Sequence, residues 1–186
     1  MTRNVPTAEE CDDWCFVCKD GGDLRLCDFI DCPKVYHESC IDKDIAKVDE
    51  DSLICMWHKC YLCKKRANLQ CLCCSHAVCQ GCATHAEFVR VKGNKGLCNQ
   101  CHEVVFALEA VQANDAAGTG DNKIDLKDRD TVDCLYFEYW TIIKNQEHIT
   151  FDDVVRACTQ PKEKDVKLRY KAYPKFSYVI LHITYI

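Results

Sequence analysis

Helical spacing of apolar positions marks the last third of the chain. Val104, Val105, Leu108 and Val111 predict an amphipathic helix over 103–113. The pattern returns from Thr131 to Asn145, with Leu135, Tyr136, Tyr139, Trp140 and Ile143 on one face. Thr150 followed by Asp153 has the form of a capping box and opens a short helix through Ala157. Together these make a helical segment, 131–158. Residues 114–130 are small, glycine-containing and charged, and read as a linker. Beyond Pro161 the chain turns basic, then β-branched and aromatic from Phe176 to Ile186. This tail, 159–186, is either a terminal strand or a disordered end. Residues 1–14 form a polar, acidic lead-in.

Composition changes the picture for the middle of the chain. The hydrophobic fraction of 48% includes 18 cysteines among 186 residues. Without them it falls to about 38%, low for one large core. Small units held by cross-links or metals are favoured. No 18-residue apolar run exists to span a membrane. Nothing in Met1–Asp20 resembles a secretory h-region, so a reducing compartment is expected.

The spacing of the cysteines decides between disulfides and metal. Seven pairs have two residues between them: Cys15/Cys18, His37/Cys40, Cys55/His58, Cys60/Cys63, Cys71/Cys74, Cys79/Cys82 and Cys98/Cys101. An eighth, Cys27/Cys32, has four. A two-residue gap folds into a knuckle that aims two side chains at one ion, and disulfide frameworks have no such preference. Mixed thiolate and imidazole ligands suit tetrahedral zinc better than an iron–sulfur cluster. Eight pairs supply ligands for four zinc ions, whose binding energy is folding energy. Cys11, Cys73, Cys134 and Cys158 are left over as ordinary thiols, although Cys73 is an alternative to Cys71 or Cys74 in another register. His76, His85 and His102 are substitutes of the same kind. Residues 15–58 and 60–102 thus form two zinc units separated by Lys59. Units joined so tightly are expected to pack as one body.

Charge is unevenly shared. The net value is −7 over residues 1–60, +5 over 61–102 and −3 over 103–186. The acidic first unit suits a basic partner, and the second suits an acidic one.

Ligand order separates the zinc families. The first eight ligands run four Cys, one His, two Cys, one His. With Asp20-Gly21-Gly22-Asp23-Leu24 before Cys27 and Pro33-Lys34-Val35-Tyr36-His37 before Cys40, residues 15–58 resemble a PHD finger. The final His58, and the junction Cys55-Met56-Trp57-His58-Lys59-Cys60 into a second Cys-rich module, resemble the PHD fingers of NSD-type methyltransferases. Leu53 stands where a PHD core tryptophan is usual. The chain is also similar, over residues 11–158, to plant NERD-like PHD proteins, often named CCCH-type zinc-finger proteins. The carrying residues are the same Asp-Gly-Gly-Asp-Leu run, Cys32-Pro33-Lys34, Gly93-Asn94-Lys95-Gly96 and the Leu135–Trp140 helix with Thr150-Phe151-Asp152-Asp153. Residues 159–186 are not expected to hold a SWIB, Plus-3 or GYF module of that family.

These resemblances imply a small zinc-stabilised α+β fold of tandem cross-brace fingers followed by a short helical segment. Cross-bracing puts zinc one on Cys15, Cys18, His37 and Cys40, and zinc two on Cys27, Cys32, Cys55 and His58. By the same interleaving, zinc three takes Cys60, Cys63, Cys79 and Cys82, and zinc four takes Cys71, Cys74, Cys98 and Cys101. The resemblance further implies a nuclear, non-catalytic reader of the histone H3 tail, added as a strand along Asp23, Leu24, Arg25, Leu26 and Cys27. A trimethyl-lysine cage needs aromatic walls. Val35 stands where trimethyl readers carry tryptophan, and Trp14 is a single candidate wall. Asp12 and Asp13, before the first ligand, and Asp28 suit an unmethylated fourth-residue lysine and the second-residue arginine.

Tyr36 is expected in the core and Trp57 between the two modules. Lys64, Lys65, Arg66, Arg90, Lys92 and Lys95 allow weak non-specific contact with DNA phosphates. Rival readings are a RING-like ubiquitin ligase, which His37 in fifth position disfavours, and catalytic zinc, which needs an open coordination position. A third is a protein-interaction scaffold that docks other chromatin proteins through the helix around Leu135–Trp140.

Overall fold

A computed structural model describes Thr7 and residues 10–49, 51–117 and 131–159. The rest of the lead-in, the linker from 118 and the tail from 160 lie outside the described residues. In the first unit, β1 (Arg25–Leu26) pairs antiparallel with β2 (Val35–Tyr36), and β3 (Lys47–Val48) with β4 (Leu53–Ile54). The second unit holds β5 (Leu69–Cys71), β6 (Ala77–Val78), β7 (Val89–Lys92) and β8 (Lys95–Leu97) in a four-stranded sheet, order β6-β5-β8-β7. The β5–β8 pair is parallel and the other two are antiparallel. Strands of two to four residues cannot hold themselves in water, so the ligand clusters must hold them.

The two units repeat one plan. Cys27 N donates to Lys34 O at 3.2 Å, and Cys71 N to His76 O at 2.9 Å. Next, Asp28 N donates to Leu53 O at 2.8 Å, and Leu72 N to Gly96 O at 2.7 Å. The units then diverge. β8 runs on along β5, where Gln70 N also donates to Asn94 O at 2.9 Å. β1 belongs to a two-stranded sheet, so its second edge carries no strand among the described residues.

Three α-helices follow among the described residues: α1 (Asn99–Ala117), α2 (Val132–Glu147) and α3 (Phe151–Thr159). The helix expected over 103–113 starts earlier, because Cys98 precedes its first residue and Cys101 lies in its first turn, where a shared ion clamps them. It also takes 114–117 from the expected linker. Val105, Leu108 and Val111 are buried as expected, whereas Val104 is exposed. Thr131 Oγ1 accepts from Cys134 N at 3.2 Å and caps α2. The Thr150–Asp153 capping box is formed in both directions, at 2.8 and 3.2 Å. Glu109 of α1 accepts from Trp140 Nε1 and Lys144 Nζ of α2, each at 2.7 Å.

One apolar cluster runs from Phe16 through Trp57 to Trp140 and Val154. Tyr36 and Leu53 are fully buried in the first unit's share of it. Trp57 Nε1 crosses to Cys71 O at 2.8 Å, and its ring meets Phe16 edge-on at 5.4 Å. Tyr139 OH donates to Leu72 O at 3.0 Å, while its ring meets Trp14 edge-on at 6.2 Å. The apolar face of α2, expected to dock a partner, is therefore spent inside the molecule. It covers both zinc units, since an apolar helix face gains more by closing an adjacent core than by facing water.

Candidate metal centres and peptide edge

The spacing of the ligands explains their placement. Three pairs frame single 3-10 turns: His37/Cys40, Cys55/His58 and Cys79/Cys82. In such a turn positions three apart eclipse, so both ligands face one side. Cys98/Cys101 uses the start of α1 to the same effect. The first pair of each unit sits on a knuckle with a left-handed fifth residue, Lys19 (φ 68°) and Lys64 (φ 62°).

Four quartets result: Cys15, Cys18, His37, Cys40; Cys27, Cys32, Cys55, His58; Cys60, Cys63, Cys79, Cys82; and Cys71, Cys74, Cys98, Cys101. Within each, the ligand atoms lie within 4.8 Å of one another. A tetrahedron with metal–sulfur bonds of about 2.3 Å has edges of about 3.8 Å. Sulfur–sulfur separations of 3.6 Å for Cys63–Cys79 and Cys74–Cys98, and 4.0 Å for Cys32–Cys55, fit it. These are four zinc sites.

The electrostatics agree. Hydrogen bonds from Cys32 and Cys55 drive the Cys27 thiol well below its ordinary pKa. Those from Cys101, Cys71 and Cys74 do the same for Cys98. Backbone amides also point at sulfur: His37 N to Cys15 at 3.4 Å, Cys55 N to Cys27 at 3.3 Å and Cys98 N to Cys71 at 3.4 Å. In the same two quartets Cys32 and Cys101 are pushed up, by hydrogen bonds to the neighbouring sulfurs and by burial, as crowded thiols that can all ionise only around a dication. His37 Nδ1 is 3.3 Å from Cys18 Sγ, and its Nε2–H donates to Gly21 O at 2.8 Å, which sets the tautomer that offers Nδ1 to the metal. His58 Nε2 is buried without a hydrogen-bond partner, as suits a ring nitrogen whose partner is a metal. The His58 ring stacks on Phe29 at 3.9 Å.

The leftover thiols stand apart from these quartets. Cys73 is fully buried, and burial pushes its thiol up. Cys158 Sγ meets His102 Nε2 at 3.2 Å.

The expected peptide residues have mixed fates. Asp13 and Asp23 are exposed, Asp23 two residues before β1, and Leu24 and Leu26 are half-buried. Asp12 is not free to meet a ligand. It pairs with Lys34 at 2.7 Å, with side chains only 10% and 7% exposed, because Asp12 N donates to Pro33 O and lays the lead-in along the end of the hairpin. Asp28 Oδ2 accepts from Leu53 N at 2.6 Å and fastens β4 to the end of β1. Arg25 reaches Glu38 at 3.2 Å and the carbonyls of Asp49 and Ser52 at 2.6 and 3.1 Å. Trp14 packs under Tyr139 rather than standing as a cage wall. Of the second unit's bases, Lys92 holds the carbonyls that end α2 and Lys95 pairs with Glu147, whereas Lys64, Lys65 and Arg66 stay exposed.

A stability prediction follows from the Asp12–Lys34 pair. Removing one member of a buried pair strands the other charge, at a cost of about 3–5 kcal/mol. Asp12→Ala should lower the unfolding free energy by that amount, read as a lower urea midpoint, and Asp13→Ala should leave the midpoint unchanged. Equal midpoints in urea titrations would refute the distinction.

Residues 12–58 match the family described as the PHD zinc finger of NSD-like histone-lysine N-methyltransferases. The Arabidopsis thaliana zinc finger CCCH domain-containing protein 44 is 37% identical over 153 residues, covering 82% of this chain and 12% of that protein. Zinc finger CCCH domain-containing protein 19 of the same plant is 37% identical over 147 residues, 78% of this chain and 8% of that one. Mouse histone-lysine N-methyltransferase NSD3 is 39% identical over 69 residues, 37% of this chain and 5% of the enzyme. The chain thus spans at most 12% of the length of these relatives. Its first unit is a PHD-type zinc finger similar to those of NSD-like proteins.

Proposed function

We propose that the chain is a non-catalytic chromatin reader in the nucleus whose first unit binds the N-terminal tail of histone H3. The tail is unmethylated or weakly methylated on its fourth-residue lysine. The observation that carries this reading is the second edge of β1, which no strand occupies among the described residues, with exposed Asp23 two residues before it and exposed Asp13 and Asp20 elsewhere on the same unit. An extended peptide gains main-chain hydrogen bonds there, and its cations meet carboxylates. The likeness to chromatin enzymes such as NSD3 supports a chromatin partner. Buried Val35, and a Trp14 engaged by Tyr139, favour the unmethylated lysine over a caged one. Each zinc has four protein ligands, so its role is structural.

A plainer reading, peptide binding without histone preference, draws on the commitment of Asp12 and Asp28 to internal partners. That leaves Asp13 and Asp23 as the reading carboxylates.

Calorimetric titration of the zinc-loaded chain with H3 peptides tests both. The unmethylated peptide should bind tighter than the trimethylated one, and Asp13→Ala should weaken it about tenfold or more, the loss of one charge-assisted hydrogen bond. Preference for the trimethylated peptide overturns the lysine assignment. No binding of either peptide overturns the histone reading.

A further inference from the structure

Lys19 and Lys34 are the buried charged side chains among the described residues. Lys34 has the Asp12 carboxylate. Lys19, 7% exposed, pairs with no carboxylate among the described residues. Its Nζ donates to Phe16 O at 2.6 Å and to Cys73 O at 2.7 Å, and it lies over the Tyr139 ring at 3.9 Å and the Phe16 ring at 4.5 Å. Carbonyls and ring faces offer partial charges, whereas an ammonium taken out of water calls for a net negative one.

That charge lies next door. Cys73 sits between the zinc-four ligands Cys71 and Cys74. Four thiolates outweigh one Zn²⁺, so the loaded site keeps net negative charge and is itself buried at Cys71, Cys98 and Cys101. We propose that Lys19 is the outer-shell countercation of zinc four, so that the first unit completes a metal site of the second.

The internal repeat supplies a control. The two knuckles have the same bonds. Cys15 N donates to Asp20 O at 2.7 Å and Lys19 N to Cys15 O at 2.9 Å; Cys60 N donates to Lys65 O at 2.7 Å and Lys64 N to Cys60 O at 2.8 Å. Lys64, the counterpart of Lys19, is exposed. The turn therefore does not demand a buried lysine, and the docking against zinc four does. The third segment converges there too, with Tyr136 OH of α2 4.0 Å from Cys101 Sγ.

The consequence is reciprocal coupling. A filled zinc four holds Lys19, and with it the start of the Asp20–Asp23 loop that leads into β1. A docked first unit in turn retains zinc four. This holds whatever peptide β1 binds.

The test is site-resolved zinc release from the full chain. Native mass spectrometry counts the ions under a competing chelator, and cysteine alkylation mapping identifies the emptied site. Outer-shell partners typically alter metal affinity about 10–100-fold. Lys19→Met should speed release at Cys71, Cys74, Cys98 and Cys101 by about tenfold or more, with the other quartets unchanged. Lys19→Arg should stay near wild type, and Lys64→Met should alter no site. Unchanged release from zinc four in Lys19→Met, or equal acceleration at all four sites, overturns the proposal. A measurement on the unmodified chain stands apart from any folding defect of the variants. Amine labelling of Lys19 should rise in step with the emptying of zinc four. Labelling that precedes that loss, or follows zinc one instead, overturns it equally.

Discussion

Stripping zinc from this protein should collapse its tertiary structure throughout the described residues, not only around the emptied sites. The two units contain strands of two to four residues, too short to persist without the clusters that pin their ends. Structural zinc typically contributes about 10–16 kcal/mol of apparent binding free energy per site in small fingers, so a single site is comparable to the whole stability of an ordinary domain. The helices are not spared. Cys98 and Cys101 clamp the start of α1. The buried Tyr139 of α2 rests on Leu72 O, inside the zinc-four neighbourhood. Near-UV circular dichroism during chelation is the measurement. Trp57 lies between the units and Trp140 lies in the helix pair, so both environments should be lost in one transition. A helix pair that keeps the Trp140 signal after all zinc has gone would show that α1 and α2 hold a core of their own. Restoring zinc should restore the signal under reducing conditions, since the ligands are thiols.

Replacing Gly96 by alanine should be the most damaging of the small substitutions. A Cβ there would stand 2.0 Å from Val89 O, 2.8 Å from Phe88 Cε1 and 2.9 Å from Arg90 Cα. Two of those atoms are backbone of β7 and cannot swing aside. Relief requires parting β8 from β7 at the Arg90–Gly96 pair, or pressing β8 against its other neighbour, where Leu72 N–H donates to Gly96 O. Either shift pulls on Cys98, two residues further on. The expected loss is about 3 kcal/mol, at the upper end of overpacking effects, or a fall in melting temperature of about 10 °C for a chain of this size. Gly81→Ala is the matched control, because a Cβ there meets nothing within 4 Å. Differential scanning calorimetry of the two variants decides. Equal melting temperatures would mean that the β7–β8 pair yields more readily than two hydrogen-bonded backbones should.

Gly96 also shows where reading the chain reaches its limit. As a residue in Gly93-Asn94-Lys95-Gly96 it marks a family likeness, but the reason for glycine lies in a strand seven residues earlier. Asp12 behaves the same way. Its place before the first ligand suggests a carboxylate offered to a peptide, whereas the fold brings Lys34 against it and buries both. Lys19, in an acidic and polar stretch, has no pattern that foretells burial. The apolar stripe of α2 is plain in the sequence, yet nothing in its spacing tells an external partner from Trp14, Phe16 and Leu72 of the same chain.

Zinc number and the pairing of neighbouring ligands were legible in the sequence alone, whereas the choice of Cys71 and Cys74 over Cys73 came with the structure. Number and pairing depend on spacings of two to four residues, and a knuckle or a 3-10 turn converts such a spacing into geometry without help from the rest of the chain. Helix faces and the Thr150–Asp153 cap were determined in the same way, by contacts within one or two turns. The tertiary structure alone decided which edge stays open, which acids stay free and which lysines go inside. Each of those outcomes depends on groups far apart in sequence: β8 laid on β5, Lys34 against Asp12, and α2 closing over Lys19 above the ligands of zinc four. Charges and hydrogen-bonding edges act on whatever folding brings within reach, and no local pattern along the chain records that.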